Sequence, residues 1–171
     1  AAEIQLNEAI FLFFDNANPV SIETLIGAVI GVLRPLGKKY GIKAPIHDSD
    51  KIKSEYKKEW IKDYLHKAQN FFKHANNDKE TVLSYETDLL PFTIFEACYL
   101  FRHLSSDKYL KYRQSKAAIM YEVWFWLKYP ELLKDQAEAS KFLQDVGLLG
   151  SFSVDNYQAL RLLADSYRIR L

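Results

Sequence analysis

Hydrophobic and polar positions recur along this chain with the period of an α-helix, and no alternating strand pattern extends beyond a few residues. The clearest stretch is WIKDYLHKAQNFFKHANND, from Trp60 to Asp78. Trp60, Ile61, Tyr64, Leu65, Ala68, Phe71, Phe72 and Ala75 fall on one apolar arc, while Asp63, His66, Lys67, Asn70, Lys73, His74 and Asn77 cover the opposite side. A long helix is therefore predicted from about Asp50 to Ala75. Asn76, Asn77 and Asp78 end it, because short polar side chains compete with the backbone ladder.

The same pattern divides the rest of the chain. Ile4 to Asp15 reads as a first helix that packs Ile4, Leu6, Ala9, Ile10, Phe13 and Phe14 and closes at Asn16, Ala17 and Asn18. Asn18 before Pro19 is an N-cap followed by a first-turn proline, so a second helix is predicted from Pro19 to about Leu33, with Pro35 and Gly37 ending it. Gly27, Ala28 and Gly31 give it a strip where another helix could approach. The stretch GKKYGIKAPIHDS, residues 37–49, has no sustained period and is expected to be a long surface loop. After a linker from Lys79 to Glu86, Thr87 and Asp88 cap a helix to about Leu104, with Pro91 in its opening turn. Ser105, Ser106 and Asp107 start a helix predicted to run unbroken to Tyr129, where Pro130 stops it. It is apolar nearly all round from Ala117 to Leu127, which suits the centre of a bundle. Shorter helices are expected from Ala137 to Val146 and after Ser153 or Asp155. The fold class is thus all-α: one domain, residues 1–171, with six or seven helices around a central aromatic-rich helix at about 107–129.

Composition narrows the partners more than the fold. The chain has 171 residues, 49% of them hydrophobic, which suffices for one sizeable core. Lys and Arg number 23 against 22 Asp and Glu, so no global field selects nucleic acid, and any polyanion contact would be a local patch. The single Cys98 lies in an apolar run and is expected to pack as a small hydrophobe in a reducing compartment. AAIMYEVWFWL, Ala117 to Leu127, is too short to cross a bilayer and contains Glu122, and no basic segment leads into an apolar stretch at the start of the sequence. These features predict a cytoplasmic protein with no membrane partner.

Candidate chemistry concentrates on the polar side of the Trp60–Asp78 helix, where Gln69, Asn70, Lys73 and His74 cluster near its end. The plain account of His74 and Lys73 is that cations suit the negative end of a helix. NFFKHANND, preceded by PVSIETLIGAVIGVL, resembles a group of bacterial all-α proteins over residues 18–130, which implies the fold and no activity. A weaker resemblance is to the HEPN superfamily, helical bundles that often dimerise and cleave RNA through an Arg, a following polar residue and a His four to six residues on. Asn70 and His74 match the polar residue and the His, but Gln69 stands where the Arg belongs. Neutral Gln supplies hydrogen bonds and no charge for a scissile phosphate, unless Lys73 substitutes. Positions 69 and 74 also stand about 140° apart on an unbroken helix. The resemblance implies a homodimer, with His74 as general acid or base, Lys73 holding phosphate and Asn70 orienting ribose or imidazole.

Two lone carboxylates, Glu96 in PFTIFEACYLF and Glu122 in AAIMYEVWFWL, need partners in an apolar interior. Arg102, Arg113, His66 and His74 are the candidates. With Gln69 and His66, the two acids are also the candidate ligand-binding residues, including as polar anchors of a pocket beneath the 37–49 loop. His47, Asp48 and Asp50 suit a metal less well than they suit helix capping. Lys38, Lys39, Lys43, Lys57, Lys58, Lys62 and Lys67 with Tyr40 and Tyr56 could bind single-stranded nucleic acid, but Glu55, Glu59 and Asp63 make a mixed solvated face the stronger reading. Phosphate-cradling glycines, zinc spacings and a nucleophile elbow are missing, so neither a metal nor a cofactor is expected. The functional expectation is a soluble bacterial helical protein that acts by binding RNA or a protein partner, with two alternatives: a metal-independent endoribonuclease using His74, or a small-ligand-binding bundle.

Overall fold

A computed structural model describes residues 1–49, 87–106 and 115–132. The first helix, α1, spans Ala2–Phe14 and buries Leu6, Ala9, Ile10, Phe11 and Phe14. Ile4, expected in the core, is 62% exposed. Phe11 is buried instead, so the packed stripe lies to one side of the one the sequence suggested. The helix ends in a Schellman motif: Ala17 N–H donates to Leu12 O at 2.9 Å and Asn16 N–H to Phe13 O at 3.1 Å, with Asn16 at φ 52°. Asn tolerates that left-handed conformation better than most residues with a Cβ.

Asn18 then caps the second helix, α2, Pro19–Lys39, its Oδ1 accepting from Val20 N–H at 2.9 Å. Ile22, Ile26, Val29, Ile30 and Leu33 form the buried stripe of α2, which packs on α1 and on the helix Leu90–Leu104. The helix does not stop at Leu33 as expected. Pro35 sits inside it and is exposed, where water can satisfy the Gly31 carbonyl that Pro35 has no N–H to reach. Gly37 is buried and keeps the next segment close: a Cβ there would lie 3.3 Å from Ile42 O and 3.4 Å from Leu100 Cδ2. In the small-residue strip Gly27 is buried, but Ala28 and Gly31 face solvent. By length and composition α2 could cross a membrane, with 44% of its most apolar stretch buried against the rest of the chain.

The next described helix, α3, Leu90–Leu104, follows a 3₁₀ turn at Thr87–Leu89. Pro91 lies in the opening turn and the end falls at Leu104, both as expected, but the N-cap position is Leu89 and not Thr87. Residues from Thr93 to Cys98 are buried without interruption, so this helix is as enclosed as the one expected at the centre.

That central helix, α4, begins only at Lys116 and ends at Lys128. An unbroken helix from Ser105–Asp107 is ruled out by Ser115, whose backbone is extended (φ −70°, ψ 118°) and whose Oγ accepts from Ala118 N–H at 3.1 Å. The same Oγ donates to Asn7 Oδ1 at 2.6 Å, which ties the start of α4 to α1. Met120 to Phe125 are all buried, as the all-round apolar pattern requires. A 3₁₀ turn at Pro130–Leu132 closes this part of the chain.

Among the described residues there are four α-helices and no strands. α1 packs on α2, α3 and α4, and α3 packs on α2 and α4. The core is rich in aromatic rings. Phe13 and Phe14 meet Tyr121 and Trp124, and Phe95 stacks on Phe125 at 4.2 Å between centroids.

Candidate functional site

Both lone carboxylates are inside, and each has a partner. Glu96, fully buried on α3, accepts from Ile46 N–H at 2.7 Å, from His47 N–H at 2.9 Å and from His47 Nδ1. It thereby fastens the segment after α2 to α3. Asp48 closes that segment's turn, its Oδ2 accepting from Ala44 N–H at 2.9 Å while Ala44 O accepts from Asp48 N–H at 3.0 Å. Arg34 of α2 adds an ion pair to Asp48 at 3.4 Å. Burial pushes the Asp48 carboxyl up, but the Ala44 N–H and the Arg34 guanidinium outweigh it and hold it below its usual range.

Glu122 of α4 accepts from Arg102 Nε of α3 at 3.0 Å on each oxygen. Burial raises the Glu122 carboxyl, with Arg102 opposing part of that rise. Cys98 is fully buried nearby, and burial followed by the charge of Glu122 pushes its thiol well up, so it is packed and not poised as a nucleophile. His103 donates Nδ1–H to Tyr99 O at 2.8 Å; burial holds its imidazole below the usual range, Arg102 adds to this, and the Tyr99 carbonyl opposes it.

These pairings divide the expectations. Arg102 was among the partners named for Glu122. The partner of Glu96 is His47, which sequence patterning had assigned to a surface loop and to capping or a metal. A clue existed: His47 follows Ala44, Pro45 and Ile46, an apolar run unsuited to a solvated loop. The 37–49 stretch is therefore helical to Lys39 and then partly interior, with Ala44 and His47 buried. Glu96 gives its oxygens to this segment, and so does not face a ligand beneath it. Among the described residues no group of three or more His, Cys, Asp or Glu is placed to hold a metal ion.

Among the described residues, a space that can admit a ligand lies elsewhere. A cleft of about 550 Å³ opens where the end of α1, the start of α2, the start of α3 and the end of α4 meet. Phe13, Phe92, Trp124 and Tyr129 wall it, with Ile22, Leu90 and the prolines Pro19 and Pro91 adding apolar surface. Phe13 meets Trp124 at 5.0 Å and Phe92 meets Tyr129 at 5.0 Å, so the rings brace one another. Asn16, Thr87, Asp88 and Lys128 supply polar groups at its rim. Tyr121 donates its hydroxyl to Pro91 O at 3.1 Å and so anchors the opening turn of α3.

None of these cleft residues stood out in the sequence as a site. Each helix end was marked, by Asn16–Pro19, Thr87–Pro91 and Tyr129–Pro130, but nothing local says that the marked ends converge. His66, Gln69, Asn70, Lys73 and His74 lie outside the described residues, as do Asp50, Arg113 and most of the lysine patch. Comparison with protein-family models, with curated proteins and with solved structures found no match to this chain.

Proposed function

We propose that this chain is a helical binding protein whose ligand site is the aromatic-walled cleft at the junction of α1, α2, α3 and α4. The observation that carries the proposal is the cleft itself. Its volume of about 550 Å³ falls in the range of small-molecule sites, and it combines apolar ring walls with a few polar groups that can orient an occupant. The ligand that fits is a compact molecule with a ring or branched apolar body against Phe13, Phe92 and Tyr129, and one or two polar substituents that reach Asn16 and Asp88. Rings fixed by mutual contact lose little freedom on binding, which favours affinity from a modest area.

The test is a fragment screen followed by amide-shift mapping on the full chain. Ring-bearing fragments are expected to shift Ala17, Asp88, Phe92 and Tyr129 together, and Phe92→Ala is expected to weaken them at least about tenfold. Fragments that map elsewhere, or no binder among several hundred, would remove the cleft as the functional site.

A further inference from the structure

The outer side of the C-terminal half of α3 carries a second cluster, about 15 Å along the helix axis from the cleft. Tyr99, Arg102 and His103 stand at positions i, i+3 and i+4, so they share one face. The Arg102 side chain is 40% exposed, and Tyr99 and His103 are half-buried. Glu122 holds the guanidinium through Nε alone, at 3.0 Å to each carboxylate oxygen. Among the described residues nothing else engages its two terminal amino groups, which form a planar fork. Beside it the Tyr99 and His103 rings lie 3.9 Å apart between centroids, tilted by 32°. With Nδ1–H committed to the Tyr99 carbonyl, Nε2 is the remaining hydrogen-bonding atom of His103.

We propose that this face binds a small planar ring compound that carries an oxyanion, with the carboxylate or phosphate on the terminal fork of Arg102 and the ring against the Tyr99–His103 pair. A guanidinium fork matches the two oxygens of such a group in geometry as well as charge. Glu122 already holds the side chain in one arrangement, so less rotamer freedom is lost when a ligand arrives. Because Glu122 also offsets part of the positive charge, charge alone gives little affinity, and the site depends on the bidentate fit together with ring contact. Two sources carry this chemistry, a mononucleotide and an aromatic carboxylate.

The experiment titrates the isotopically labelled full chain with adenosine monophosphate, with benzoate and with inorganic phosphate, following amide, Arg102 side-chain and His103 imidazole signals. At least one ring compound is expected to shift Tyr99, Arg102 and His103, and to bind about tenfold tighter than phosphate. Whichever ring compound binds identifies the source. In the complex the His103 titration is expected to move upward, because the oxyanion offsets the neighbouring Arg102 charge. Arg102→Lys keeps a cation facing Glu122 but loses the fork, and is expected to weaken binding about tenfold. Tyr99→Leu, which leaves the ion pair intact, is expected to weaken the ring compounds and not phosphate. The proposal is overturned if neither ring compound shifts these signals, if phosphate binds as tightly as they do, or if a folded Arg102→Lys protein binds like the native chain.

Discussion

Removing the carboxylate of Glu96 takes away the acceptor of the Ile46 and His47 N–H groups and breaks its contact with the His47 imidazole. Each buried donor left without an acceptor costs about 1–3 kcal/mol, and the apolar side that faced Glu96 cannot replace it. Glu96→Ala is therefore expected to destabilise the protein by about 3 kcal/mol or more in chemical denaturation. A cycle with His47→Ala should show coupling, because both substitutions break the same contact. Strictly additive losses would mean that the contact holds nothing.

Two other acids make opposite predictions with pH. The folded-state pKa of Asp48 lies below its unfolded value of 3.8. Its contribution is fully present above that value and is lost as pH falls through the folded one, so Asp48→Asn should flatten the acid limb of the stability curve. The pKa of Glu122 is raised above 4.5 in the folded chain, chiefly by burial. The folded state then holds the extra proton, and stability declines as pH rises from 4.5 through the folded value. Thermal melts of native and Glu122→Gln proteins across that window should differ in slope, with the variant flatter.

At the scale of the elements, two glycines of α2 separate local propensity from packing. Gly31 is exposed, and a Cβ built there meets nothing within 4 Å. Gly31→Ala should stabilise by about 0.5–1 kcal/mol, the ordinary gain from replacing glycine in a helix. Gly37 sits against Ile42 O and Leu100 Cδ2, so Gly37→Ala should destabilise despite the same local preference. Equal effects in thermal melts would show that the close approach of α2 to α3 does not matter. For α4, Ser115→Ala removes the acceptor for Ala118 N–H and the donor to Asn7, and a loss of about 1–2 kcal/mol is expected. The start of α2 and the end of α3 were legible because Asn18–Pro19 and Leu104–Ser105 act over neighbouring residues. The end of α2 and the start of α4 were not. Pro35 is tolerated because it faces water, and Ser115 is a cap because its backbone is extended, and neither fact is local to the pattern.

For the whole molecule, the binding proposal carries a consequence for RNA. A protein that works by holding a ligand in the cleft should leave an end-labelled RNA pool intact without added metal, and His74→Ala should behave as the native chain does. Cleavage that disappears in the folded variant would move the active centre to the Trp60–Asp78 stretch and away from the cleft. The cleft was hidden from sequence reasoning for a physical reason. Its walls come from Phe13, Phe92, Trp124 and Tyr129, residues far apart in the chain whose separate signals were only those of core aromatics.

The sequence by itself determined that the described segments are helical, that their cores are aromatic, and that Glu96 and Glu122 must find partners, because helical periodicity and the cost of an unpaired buried charge act on composition and spacing alone. It also determined the Asn18 cap of α2 and the ends of α1, α3 and α4, which depend on hydrogen bonds and prolines within a few residues. Only the tertiary structure decided that Glu96 takes His47, that Arg102 pairs with Glu122 through Nε, and that four helix ends meet around one cleft. Those outcomes depend on which helix faces pack together, and a chain's local preferences do not encode the distance between elements that meet only after it folds.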